Sequence, residues 1–177
     1  SRISQARGVE VMPWSNPIRL EIQKRLSTAL SEIMVSAGYK NDIDGRVYRG
    51  RAVFGDETKL PALSILEAPI PIDQLPSAKD NESQFGPWEL VVQGWVKDDK
   101  ANPTDPAHVL MADVKRRLAL ERLKTNWEDE DQGILGLGRE VVALYIGAGV
   151  VRPPDEISAK AYFWLTITLD IAEDMTE

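Results

Sequence analysis

Between Pro17 and Gly38 apolar residues recur at three-and-four spacing, with Ile18, Ile22, Leu26, Ala29, Leu30, Ile33, Met34 and Ala37 on one face. Arg19, Gln23, Lys24, Ser27 and Ser31 fall on the other. This period predicts a helix with Ser15 or Asn16 as cap, Pro17 at its first position and Gly38 as a left-handed stop. After a turn at Asn41 to Gly45 the period changes to two. Val47, Arg49, Arg51 and Val53 alternate with Arg46, Tyr48, Gly50 and Ala52, which predicts a strand. Three closely spaced arginines suit an edge or interface strand better than a buried one. Leu60 to Glu67 predicts a second strand and Trp88 to Lys97 a third. Residues 68–87, with Pro69, Pro71, Pro76, Gly86 and Pro87, predict a long loop, a candidate for a segment that orders on assembly.

A second helix is expected from Thr104 to Pro106 onward to about Lys124, with Leu110, Met111, Val114, Leu118 and Leu123 as its stripe. Val141 to Val151 predicts a strand bent or bulged at Gly147 and Gly149. Ala161 to Ile171 gives the most regular alternation, setting Phe163, Leu165, Ile167 and Leu169 against Tyr162, Trp164, Thr166 and Thr168. These elements define an α+β class: one mostly antiparallel or mixed sheet of about five strands with two amphipathic helices on one face. The domain spans 17–172, preceded by an arm (1–16) carrying Val9, Val11, Met12 and Trp14 and followed by an acidic tail (173–177). The sheet face left uncovered by helices carries Tyr162 and Trp164, which suits packing by a partner or by the arm.

Composition narrows the chemistry. The chain has 177 residues, no cysteine and one histidine, His108, which excludes thiol nucleophiles, Cys-bound zinc, iron–sulfur clusters and disulfides. A net charge of −7 argues against broad binding to nucleic acid or anionic membranes. The basic surplus lies at the front of the chain and the acidic surplus at the back, a split that can pair one subunit with the next, although composition by itself favours a monomer with a mildly polar charge layout. No apolar run approaches the roughly 20 residues of a membrane-spanning helix, and a soluble, non-exported protein is expected. The first residue, Ser1, fits removal of an initiator Met or other processing.

Each catalytic template breaks down. Gly133, Gly136 and Gly138 suggest a phosphate loop, but Val141 occupies the position of the next glycine and no Lys-Ser/Thr follows. Asp42 and Asp44 sit like the centre of a calcium loop whose end positions, Lys40 and Arg51, are cations. Pro154-Asp155 lacks the acidic-x-Lys triplet of a nuclease, and His108 has no serine in a Gly-x-Ser-x-Gly turn. Glu128, Asp129, Glu130 and Asp131 read as a solvated run. No catalytic residue, metal ligand or cofactor is assigned. For Arg46, Arg49 and Arg51 with Tyr48, pairing with acidic protein surfaces is favoured over nucleic acid. The five tryptophans, Trp14, Trp88, Trp95, Trp127 and Trp164, are core residues by default, although tryptophan also concentrates in interfaces.

The run Pro17-Ile18-Arg19-Leu20 into a helix, Gly45-Arg46-Val47-Tyr48-Arg49-Gly50-Arg51, Leu60-Pro61-Ala62-Leu63-Ser64-Ile65-Leu66-Glu67, Trp88-Glu89-Leu90-Val91-Val92-Gln93-Gly94 and the helix from Pro106 together resemble tail terminator proteins of tailed bacteriophages. The likeness covers roughly residues 17–125 and rests on structural residues. It implies a subunit of a hexameric ring that ends the tail tube in the tail–neck region of the virion and, with no cofactor, offers a surface to a head-completion or neck protein. The implied partners are further copies of the chain, the tail tube protein and the neck, with DNA passing through the ring unbound and no membrane involved. On this reading Arg46, Tyr48, Arg49, Arg51 and Trp164 lie at the subunit interface. Trp14, Phe85 and Trp88 belong to the partner-binding arm and loop, and Glu128 to Asp131 line the lumen. Another head–tail joining or neck protein, a carboxylate-only enzyme and a dimeric binding module remain as alternatives.

Overall fold

The computed structural model describes residues 15–68, 83–124 and 132–174. Its spine is an antiparallel ladder of β3 (Ser83–Val96) and β6 (Ala161–Asp174), each 14 residues long, running from Ser83 opposite Asp174 to Val96 opposite Ala161. Around it stand β1 (Val47–Arg49), β2 (Ala62–Glu67), β4 (Val141–Ile146) and β5 (Val150–Arg152). The order across the sheet is β1-β2-β3-β6-β4, and β5 also pairs with β6. Only β1 and β2 run parallel, so the 6-stranded sheet is mixed, and the fold is α+β as the periodicities predict.

Two helices, α1 (Ile18–Ser31) and α2 (Asp105–Arg122), cover one face. That face presents Leu63 and Ile65 from β2, Trp88, Leu90, Val92 and Val96 from β3, and Phe163 through Ile171 at alternate positions of β6. Ile22, Leu26 and Leu30 of α1 and Leu110, Val114 and Leu118 of α2 complete the core, all of them fully buried. Each such aliphatic side chain stabilises the fold by about 1.5–3 kcal/mol relative to exposure. Gly94 opposes Phe163, and an added Cβ there would collide with the Phe163 ring, so glycine is what lets the ring lie across β3.

A buried polar seam ties the helices together. Arg117 of α2 donates to the carbonyl of Ala29 (3.0 Å) and to the carboxylates of Glu32 (2.8 Å) and Glu121 (3.1 Å). The Glu121 carboxylate also accepts from the Leu135 amide and pairs with Lys124 at 2.9 Å. Burial opposes its charge, but the bonds from Lys124 and Leu135 and the charges of Lys124 and Arg117 outweigh that and hold its pKa below the usual 4.5. Asp113 accepts from the amides of Lys40 and Asn41 and from the Asn41 side chain, which anchors the turn after α1. Gly133, Gly136 and Gly138 all have positive φ, and Arg25 donates to the carbonyls of Leu135 and Gly136. The glycine cluster thus does present an amide to an anion, but the anion is Glu121 of the same chain.

Several boundaries differ from expectation. The first helix ends at Ser31, because the Ser27 and Ser31 hydroxyls bond back to the carbonyls of Gln23 and Ser27 and Met34 turns extended. A short 3-10 turn, Val35–Ala37, follows, pinned by Asp42 accepting from the Val35 amide and closed by Gly38 at φ 95°. The first strand covers only Val47–Arg49, since Gly50 at φ 71° turns the chain away. Residues 83–87, expected in the long loop, belong to β3; Gly86 and Pro87 are carried by pairing with Ile171 and Asp170. Residues 69–82 of that loop lie outside the described residues. The strand expected over Val141 to Val151 is two strands, broken where Gly147 donates to the Thr166 carbonyl, and the bulge lies between Val141 and Ala143. Glu173 and Asp174, expected in the tail, extend β6, and Glu173 pairs with Arg19 at 3.3 Å. Leu123 is 72% exposed and takes no part in the core.

Candidate assembly surface

The face of the sheet turned away from the helices carries Tyr48, Ala62, Ser64, Leu66, Glu89, Val91, Gln93, Trp95, Tyr162, Trp164 and Thr166. It divides into two parts. Over the Trp95 end folds the connection from β1 to β2, which must cross the sheet because its two strands are parallel. Phe54 in this connection packs on Trp95 with ring centroids 4.1 Å apart, and Tyr48 meets Phe54 edge-on at 5.3 Å. The Arg51 guanidinium stacks over Phe54 at 4.3 Å and over Tyr48 at 4.9 Å. Lys160 pairs with Asp56 at 3.7 Å and links this flap to the approach to β6. Tyr162 donates to Asp155 at 2.8 Å; burial and that carboxylate push its phenol pKa up.

The other part is open. Leu66, Val91 and Thr166 stand side by side across β2, β3 and β6, with Trp164 one step along β6 and Val150 of β5 opposite it. Together with Ala68 and the Ala148–Gly149 turn they form an open, largely apolar groove of about 610 Å³ rimmed by Glu67 and Glu89. Trp164 meets Tyr162 edge-on at 5.4 Å and is half-buried, so one part of its ring faces the groove. Val150, at 54% exposure, stands on the rim.

The five residues expected at a subunit interface therefore separate. Tyr48 and Arg51 belong to the aromatic flap and Trp164 to the groove. Arg46 is turned inward along its own loop, donating to the carbonyls of Pro61 (2.8 Å) and Asp42 (2.9 Å). Arg49 lies on the helix face beside Ser27, 3.4 Å from its hydroxyl, and is exposed. Trp88 does not extend toward a partner: its position in β3 faces the core, it is 6% exposed, and Arg19 stacks over it at 5.2 Å. Phe85 is placed in β3 by its backbone opposite Ala172, while Trp14 and Glu128 to Asp131 lie outside the described residues. The groove and the flap were not foreseen. Phe54 gave no periodic signal, and the groove requires that β2, β3, β5 and β6 be neighbours.

His108 is exposed on the first turn of α2, and no cluster of metal-ligating side chains occurs among the described residues. No described helix is long and apolar enough to cross a membrane. Among the described residues, the fold is a helix-backed mixed sheet whose second face is half covered and half open. Compared with models of protein families and with curated proteins, the chain matches none.

Proposed function

We propose that this chain is a structural subunit of a tailed-bacteriophage virion, a tail terminator that assembles into a ring on the end of the tail tube, stops its growth and offers a surface to the neck of the head. The observation that carries the reading is the open apolar groove on the sheet face, together with the phrases around Arg46 to Arg51, Leu60 to Glu67 and Trp88 to Gly94 that resemble this family. Those phrases fall on β1, β2 and β3, three adjacent strands, so the likeness follows one contiguous piece of architecture. The groove supports an assembly role because an apolar surface of this kind, rimmed by polar groups, marks contact with another macromolecule. A ring results from a heterologous contact whose rotation closes, and the charge split along the chain suits such a contact.

The test is a polymerisation assay in which the chain is added to growing tubes of the tail tube protein from the same particle. Tubes that stop lengthening, with this chain bound at one end in electron micrographs, are the expected result. Binding along the tube wall, or to isolated heads alone, contradicts the terminator role, and the latter favours a neck protein.

A further inference from the structure

We propose that the groove over Val91, Trp164 and Thr166 receives residues 9–14 of a second copy of this chain, so that arm and groove form the repeating contact between subunits. This deepens the ring reading and rests on it. The chemistry of the two surfaces matches. The arm offers Val9, Val11, Met12 and Trp14 at alternate or neighbouring positions, preceded by Arg2 and Arg7 with Glu10 as its single acid. The groove offers an apolar floor, Leu66, Val91 and Trp164, between two exposed carboxylates, Glu67 and Glu89. Neither carboxylate has a side-chain hydrogen bond or ion pair among the described residues. An arm with surplus positive charge would give them partners and set the direction in which it lies.

Geometry favours a neighbour's arm over the chain's own. The first helix starts on the opposite side of the sheet, where Arg19 stacks over Trp88 and bonds Glu173. Glu173 pairs with Gln84, and Val91 lies seven positions farther along β3, about 23 Å by strand rise. A chain passing round that end of the ladder must cover this length in addition to crossing the sheet. The four steps from Ile18 back to Trp14 reach at most about 14 Å when fully extended, short of that distance, so residues 9–14 cannot all seat in their own chain's groove. A neighbouring subunit's arm carries no such restriction, and an arm-to-groove contact is heterologous, the type that closes into rings.

The chain contains no cysteine, so introduced cysteines report without background. Val11→Cys tags the arm, and Val150→Cys lies on the exposed rim, where it leaves the core undisturbed. Under mild oxidation the full-length double variant should give an intermolecular ladder ending in one discrete closed species. An equimolar mixture of the two single variants should give a disulfide between two chains, well above that of Val11→Cys mixed with Lys100→Cys. Crosslinks confined within single chains, or none above that control, overturn the proposal. Light scattering on the same reduced samples separates the two ideas. Assembled protein, in solution or on tail tubes, without the crosslink overturns the arm contact alone, and protein that neither crosslinks nor assembles, alone or with tail tubes, overturns the ring as well.

Discussion

Arg46 and Arg49 lie three positions apart and do opposite work. Arg46 holds the carbonyls of Pro61 and Asp42, so Arg46→Ala is expected to cost about 1–3 kcal/mol, read from urea unfolding, by leaving them without a donor. Arg49 is exposed, and Arg49→Glu should change stability by no more than about 0.5 kcal/mol while weakening self-association, read as a fall in solution mass. A variant that assembles as well as the parent removes Arg49 from the interface. Ser64 supplies a contrast, since its hydroxyl is buried with no hydrogen-bond partner among the described residues. Ser64→Ala should therefore leave stability unchanged or raise it, whereas Gly94→Ala should cost about 1–3 kcal/mol by driving a methyl group into Phe163. Both are checked by the urea midpoint. In the sequence the three arginines look alike. What separates them is the partner each finds: carbonyls of Asp42 and Pro61 for Arg46, the Ser27 hydroxyl of the first helix for Arg49, and the Tyr48 and Phe54 rings for Arg51, most of them brought near only by the fold.

Among the elements, the sheet positions were the most legible, because strict alternation over Ala161 to Ile171 leaves one way to bury Phe163, Leu165, Ile167 and Leu169. The first helix was overread. Ile33 continues its apolar period and is fully buried, but it reaches the core from the chain after the helix has ended, where its amide turns back to the Leu30 carbonyl and its own carbonyl accepts from the Ile43 amide. The polar seam of α2 was also hidden, since Asp113, Arg117 and Glu121 look like a solvated face when read by charge alone. This seam makes stability depend on pH. The pKa of Glu121 is lower folded than unfolded, so its contribution is fully present above about 4.5 and is lost as pH falls through the lower folded value. Unfolding midpoints should drop over that acid range in the parent and drop less in Glu121→Gln. That variant should already be less stable at pH 7, by about 1–3 kcal/mol, because Arg117 keeps Glu32 but exchanges its buried charged acceptor for a neutral one. Equal acid sensitivity in the two proteins would show that other carboxylates govern it.

At the scale of the whole molecule, two helices are enough to cover one face of a six-stranded sheet, and the fate of the second face decides what the protein can join. Among the described residues, the Phe54 flap covers the Trp95 end and the Val91 and Trp164 end is open. The apolar periodicities foretold that a face would be uncovered, because they predict only two amphipathic helices, but not which half. The ring reading stands on this open half and on the family likeness of β1 to β3. The solution mass of the full-length chain tests it most directly, by light scattering alone and after mixing with tail tubes. A closed assembly of about six chains is expected, either in solution or formed from monomers only at the tube end. A stable monomer or dimer that leaves tubes unbound would contradict it.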